Sequence, residues 1–178
     1  ECKRCAHTQE IAQELDIDFA GSDYQFFDSK MLTRQIAEFA KPPIKVGDVQ
    51  IHQESCTVMA FHSAPKGRLR LWFDPGAASR VPTDGPFALG VDIATGTGSS
   101  NSVISIGNCK TGEKVAEFVD SKTRPEELGR IAVALARWFS DANGKGAYIV
   151  WEAPGPGRNF GDTVIESGYR NFYFKEDD

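Results

Sequence analysis

Two carboxylates sit where an acid needs a reason. Asp92 interrupts the apolar run Phe87-Ala-Leu-Gly-Val-Asp-Ile-Ala94, and Glu152 directly follows the apolar run Ala147-Tyr-Ile-Val-Trp151. Short apolar runs of this kind read as strands buried in a sheet. A carboxylate on such a strand is costly unless something compensates it. A divalent cation is one compensation, and hard oxygen ligands suit Mg²⁺ or Mn²⁺. Two such ions held about 4 Å apart serve phosphoryl transfer, one activating water and the other stabilising the leaving oxygen. The plainer alternative, for either acid taken alone, is a strand end paired with Arg or Lys.

The elements around these acids follow from patterning. Phe87–Ala94 is a first strand, and Gly96-Thr-Gly-Ser-Ser is a tight turn. Ser102–Ile106 and Lys114–Val119 are second and third strands joined by Gly107–Gly112, so the three form an antiparallel meander. A helix follows. Thr123 and Glu126 have capping-box spacing, Pro125 suits a first turn, and Leu128, Ile131, Leu135 and Trp138 share one face. Ala147–Trp151 is a fourth strand, Phe160, Val164 and Ile165 mark a short helix, and Asn171–Phe174 begins a fifth strand. A meander followed by alternating helix and strand predicts a mixed sheet with helices packed on its faces. With a crossover helix, the first and fourth strands can lie side by side, which would bring Asp92 and Glu152 together.

Upstream, residues 1–40 read as helical with a turn at Gly21-Ser22-Asp23. Ser29 is the expected cap of a helix carrying Leu32, Ile36 and Phe39, which Pro42-Pro43 ends. Cys56–Phe61 and Arg68–Phe73 are strand-like, and the second alternates Leu69, Leu71 and Phe73 against Arg68, Arg70 and Trp72. Asp74–Pro86, rich in Pro, Gly, Ser and Asp, is the expected linker.

Composition sets bounds. The 178 residues are 40% hydrophobic and 25% charged, the balance of an ordinary globular chain. No apolar run is long enough for a membrane span, and no signal peptide is legible. The first residue is Glu rather than Met, as expected of a piece of a longer protein. A formal net charge of −5 argues against a protein held on nucleic acid by bulk charge, but it leaves room for a local carboxylate site with a local basic groove. Of the four cysteines, Cys2 and Cys5 make a C-x-x-C pair with His7 nearby. Without a second pair at similar spacing, they read as free thiols rather than zinc ligands.

Taken in order, these motifs resemble a known family. Leu89-Gly-Val-Asp-Ile-Ala-Thr-Gly-Thr-Gly-Ser-Ser-Asn-Ser-Val-Ile-Ser-Ile106 resembles the start of the nuclease domain of phage large terminases, where a strand aspartate precedes a Gly-rich turn. Val150-Trp-Glu-Ala-Pro-Gly-Pro-Gly-Arg158 resembles that family's second acidic motif, and Gly168–Tyr173 the strand that follows it. Thr8–Ser22 with Phe26-Phe-Asp28 resembles the segment leaving the family's ATPase domain.

The resemblance implies a ribonuclease-H-like α/β fold. Residues 1–80 would be an ATPase-domain tail and linker, and 85–178 a nuclease domain incomplete at its C-terminal end. It implies a two-metal endonuclease that cuts concatemeric double-stranded DNA during viral packaging. Asp92 and Glu152 would be the catalytic metal ligands, for Mg²⁺ or Mn²⁺. The implied partners are the portal protein and the small terminase subunit, with no membrane, in the host cytoplasm and transiently at the procapsid. The family's third aspartate would fall beyond residue 178, so the chain alone would be inactive, cutting DNA poorly or not at all. Ser100 and Asn101 stand where the family often has an auxiliary Asp, and no G-x-x-x-x-G-K-[ST] motif occurs.

Two other readings use the same residues. An actin-like or sugar-kinase-like ATPase shares the strand order, with Gly96 and Gly98 letting backbone N–H groups approach a phosphate. A non-catalytic docking module for DNA packaging needs no site at all. Among single residues, Arg158 is a candidate phosphate contact. Lys66, Arg68 and Arg70 fit either DNA phosphates or an exposed strand face. Trp72, Trp138 and Trp151 read as core or half-buried aromatics, and His52 and His62 as strand or surface residues.

Overall fold

The computed structural model describes residues 28–81 and 84–173. The expectations for residues 1–27, including Cys2, Cys5, His7 and the first helix, lie outside the described residues. Two compact units divide the chain, residues 1–42 and residues 43–178. In the first, helix α1 (Ser29–Phe39) is amphipathic, with none of its residues buried. Its N-cap is Asp28, whose carboxylate accepts from the Met31 N–H at 2.8 Å, one residue before the cap expected from sequence.

The second unit is built on one seven-stranded sheet. Its strands are β1 (Lys45–His52), β2 (Thr57–Ser63), β3 (Leu69–Leu71), β4 (Phe87–Asp92), β5 (Ser102–Asn108), β6 (Lys114–Asp120) and β7 (Tyr148–Trp151). The order across the sheet is β2-β1-β3-β6-β5-β4-β7. Helices α2 (Pro125–Trp138) and α3 (Gly157–Glu166) fall on either side of β7 in sequence. All pairs are antiparallel except β4 with β7, which is parallel because α2 carries the chain back across the sheet. A meander β4-β5-β6 with a parallel fourth strand beside its first member is the ribonuclease-H-like arrangement expected from the sequence. The expected fifth strand appears among the described residues only as a bridge between Ile149 and Phe172.

The alternation of each strand explains the layer. Leu69, Leu71, Phe87, Leu89, Ile104, Ile106, Phe118 and Ile149 all point to one face and are buried with α2 and α3. Helix α2 is buried nearly all round from Ile131 to Ala136, since it lies between the sheet and α3. The opposite positions, among them Ala88, Gly90, Val103, Ser105, Glu117 and Val150, stay at least partly exposed.

Two expectations need correction, and one strand was not foreseen. The domain boundary does not fall between residues 80 and 85. Strand β3 pairs with β6 through Leu69↔Phe118 and Leu71↔Ala116, so residues 43–80 complete the same sheet and 74–86 is a connection within it. Strand β1 was not anticipated. The capping box of α2 is absent as well: its N-cap is Arg124 with no side-chain cap, because the Thr123 hydroxyl donates to Asp120 at 2.5 Å instead. Pro125 does occupy the first turn.

Charge pairs hold the β1-β3-β6 seam. Arg68 bonds Asp48 at 2.8 Å and lies 3.6 Å from Asp120, and Arg70 bonds Glu117 at 2.7 Å, with Lys114 beside the same carboxylate. The cations read as candidate DNA contacts, Arg68 and Arg70, are thus both engaged with carboxylates. Burial raises the pKa of Glu117, but Lys114 and Arg70 outweigh it and hold the carboxyl below its ordinary value. Burial likewise raises Asp120, and the Thr123 hydroxyl, the Lys122 N–H and Arg68 outweigh it. A carboxyl with a depressed folded pKa contributes stability above its unfolded pKa, about 4 for both residue types. That contribution is lost as pH falls through the folded value. Urea midpoints should therefore fall from about pH 5 downward, and Asp120→Asn should flatten that fall. An unchanged pH profile in Asp120→Asn would contradict the seam's role.

Candidate functional site

Asp92 ends β4, and Glu152 immediately follows β7. The parallel register pairs Gly90 with Val150 and Val91 with Trp151, so the next step along both strands brings Asp92 opposite Glu152. Both are even-numbered positions, on the side of the sheet opposite Leu89 and Ile149. Both line one cleft of about 370 Å³ with Val91, Ile93, Pro154, Pro156 and Gly157. The two acids named from sequence thus come together from positions 60 residues apart in register.

Their setting differs from the expectation in one respect. Both side chains are exposed rather than buried in apolar surroundings. The strands end at the cleft, so solvation already supports the charges and no burial penalty calls for a metal. What remains distinctive is proximity: two carboxylates in one hollow, and no ion pair to either among the described residues. Among those residues no group of three or more His, Cys, Asp or Glu could hold a metal.

The backbone around each acid is held closely. After Asp92, the Ala94 N–H donates to the Ser102 hydroxyl at 3.0 Å, and Ser102 is fully buried. The Gly-rich turn is anchored too. Gly96 has φ +75°, and a Cβ there would lie 2.6 Å from the Thr123 carbonyl oxygen. The Gly98 N–H donates to the Ser121 carbonyl at 2.9 Å. After Glu152, the first residue of α3, Gly157, passes so close to the Glu152 carbonyl that any side chain would overlap it. At the other end of β7, the Tyr169 hydroxyl donates to the Ala147 carbonyl, and burial pushes its pKa up to about 12.

Ser102 was missed from sequence. The signal was present, since a serine opens the inward series Ser102, Ile104, Ile106. Ser102→Ala should leave the Ala94 N–H without its partner and cost about 1–3 kcal/mol, measurable as a lower urea midpoint. A midpoint equal to wild type would show that the tether contributes nothing.

Other candidates lie further away. Arg158 is exposed on α3 and lines an adjoining hollow with Trp151, Pro154, Gly157 and Asp162, not the cleft of the acids. Trp72, Trp138 and Trp151 are half-buried as expected, and His52 and His62 are exposed on the β1-β2 hairpin. Lys66 is exposed. No helix among the described residues is long and apolar enough to cross a membrane.

The fold and the cleft define a ribonuclease-H-like domain with two acids at the ends of its adjacent parallel strands. No protein-family model matches the sequence, and no curated protein matches it. Solved structures similar to it include the large terminase nuclease from thermophilic phage G20c with bound zinc, at 17% identity and TM-score 0.47, covering 62% of this chain and 56% of that one. The same nuclease with bound cobalt aligns at 17% identity and TM-score 0.48, over 62% and 50%. With bound magnesium it aligns at 16% identity and TM-score 0.45, over 74% and 60%. The chain thus spans between half and three-fifths of the length of these structures.

Proposed function

We propose that this chain carries the acid pair of a metal-dependent endonuclease that cuts double-stranded DNA during viral packaging. The observation that supports it is the meeting of Asp92 and Glu152 in one cleft at the ends of two adjacent strands. In the resemblance drawn from sequence, these are the two metal-binding positions.

The donor set fits a hard divalent cation: two carboxylates, exposed, and without a cationic partner among the described residues. Asp92 and Glu152 would hold Mg²⁺ or Mn²⁺ between them. When bound, such an ion supplies Lewis-acid stabilisation to the oxygens of a phosphodiester. The chain's own contribution is placement. Ser102 and the anchored Gly-rich turn fix the strand end that carries Asp92, and the contact with Gly157 fixes the one that carries Glu152. Among the described residues these two carboxylates do not complete a two-ion site, which needs further oxygen ligands. On those ligands alone, metal should bind weakly and cutting should be slow. Action on concatemers with a portal protein and a small terminase subunit belongs to the same proposal.

The ATPase reading loses support at the Gly-rich turn. The Gly98 N–H, which a phosphate would need, already donates to Ser121, and Gly96 packs against Thr123. The experiment is nicking of supercoiled DNA in Mn²⁺. Slow nicking that a chelator stops and fresh Mn²⁺ restores is expected, and nicking that persists in chelator would contradict the proposal.

A further inference from the structure

The acid cleft does not stand alone. A second hollow of about 400 Å³ shares Asp92, Ile93 and Pro156 with it and extends past Thr95, Ser100 and Asn101. A third, of about 340 Å³, shares Thr95 and Pro156 with the second and ends at Arg124, Glu126 and Asn159. Because neighbouring hollows share lining residues, they follow one another around Pro156 as an open surface channel, with the acids lining the first and Arg124 the third. In the opposite direction the acid cleft adjoins the hollow of Arg158 through Pro154 and Gly157.

Arg124 differs from Arg68, Arg70 and Arg137 in having no fixed partner, a property it shares with Arg158 and Arg130, and it lines the hollow on the Asp92 side of the acid cleft. Arg68 and Arg70 are engaged with carboxylates, and Arg137 donates to the carbonyls of Ser55, Cys56 and Ser167. Arg124 is exposed and makes no side-chain hydrogen bond or salt bridge among the described residues. Glu126, which lines the same hollow, accepts from the Asn159 amide at 2.8 Å and feels the charges of Arg124 and Arg130, but forms no salt bridge with either among the described residues. An exposed guanidinium with no salt bridge among the described residues, lining a hollow that adjoins the acids' own, can take a phosphate oxygen.

We propose that Arg124 anchors a backbone phosphate of the DNA strand that lies across Asp92 and Glu152, away from the phosphate presented to the acids. This inference rests on the nuclease reading for the identity of its ligand. Its contact is of the positioning kind: it fixes the strand's path through the channel and carries no sequence information. Thr95 lines both the second and the third hollow, with its hydroxyl 3.2 Å from that of Thr97.

The test is binding without cleavage: fluorescence anisotropy of a labelled duplex of mixed sequence with the whole chain in Ca²⁺, over a series of salt concentrations. Arg124→Ala should weaken binding roughly tenfold at low salt. It should also lower the slope of log affinity against log salt by about one, as loss of one phosphate contact requires. Arg124→Lys should recover most of both. Arg130→Ala removes the same charge from the same helix at an exposed position that lines none of the three hollows, and it should leave the slope unchanged. An Arg124→Ala slope equal to wild type, a loss no greater than that of Arg130→Ala, or no duplex binding by the wild-type chain at low salt would each overturn the proposal. Failure of the acids to bind metal, with the Arg124 effect intact, would remove the nuclease reading and leave the channel as a DNA-binding path.

Discussion

Gly157→Ala is expected to destabilise the protein by about 3 kcal/mol, at the upper end of the usual cost of overpacking. At this chain length that corresponds to a fall in Tm of roughly 6–12 °C. The cause is local. A methyl group at residue 157 would overlap the Glu152 carbonyl oxygen and lie 2.9 Å from its carbonyl carbon, and both are backbone atoms that no rotamer change can move. To make room, either α3 must shift or the backbone of Glu152 must turn, and the second response moves the acid. The same substitution should therefore weaken Mn²⁺ binding as well as stability. Gly90→Ala is the matched control. Gly90 lies on β4 two residues before Asp92, and a Cβ there meets nothing within 4 Å. It should change Tm little and leave metal binding intact. A Gly157→Ala protein as stable as wild type would mean that the packing of α3 on the end of β7 is looser than described.

The second large effect concerns the acids themselves. Asp92→Ala and Glu152→Ala should each reduce metal-dependent nicking by more than about 100-fold, since loss of an outer partner of a metal ligand alone costs 10–100-fold in affinity or activity. Both side chains are exposed, so neither change removes core packing, and melting curves should stay close to wild type. The double variant should be no worse than either single one, because each acid is useless without the other. Nicking that survives in both folded variants would place the site elsewhere.

The half of the sheet that carries the acids was legible in the sequence for physical reasons. Strands β4, β5 and β7 are short runs dominated by apolar or β-branched residues and bounded by glycine turns, and α2 has an unbroken apolar face. The adjacency of Asp92 and Glu152 followed from the crossover helix, which returns the chain beside the strand it left. Strand β1 was not legible. Lys45–His52 mixes Gly47, Asp48 and Gln50 with three aliphatic residues, and a register shift at Gln50/Ile51 breaks its alternation. Its place in the sheet is set by pairing with β2 and β3, which no local pattern reports. The linker reading of Asp74–Pro86 failed for a related reason. Its composition marks a turn-rich segment correctly, but whether such a segment separates domains depends on the long-range pair Leu69↔Phe118.

The acids show the same division. Their identity and their meeting were readable, but their burial was not. Runs such as Phe87–Ala94 suggest an acid sunk among apolar side chains, yet period-two alternation puts Asp92 on the face opposite Leu89 and Val91. Gly157 was hidden because its role lies in a close approach to the Glu152 carbonyl, and of Ser102 only the inward position was readable, not its backbone partner, the Ala94 N–H.

Paramagnetic broadening of backbone amide signals by Mn²⁺ would reveal whether Asp92 and Glu152 jointly hold one divalent cation. Substoichiometric Mn²⁺ should broaden the amides of residues 91–93 and 151–153 first, excess Mg²⁺ should reverse the broadening, and Asp92→Ala or Glu152→Ala should abolish it while the remaining spectrum keeps its dispersion. Broadening centred on another part of the chain, or unchanged broadening in both folded variants, would contradict joint binding by the two acids.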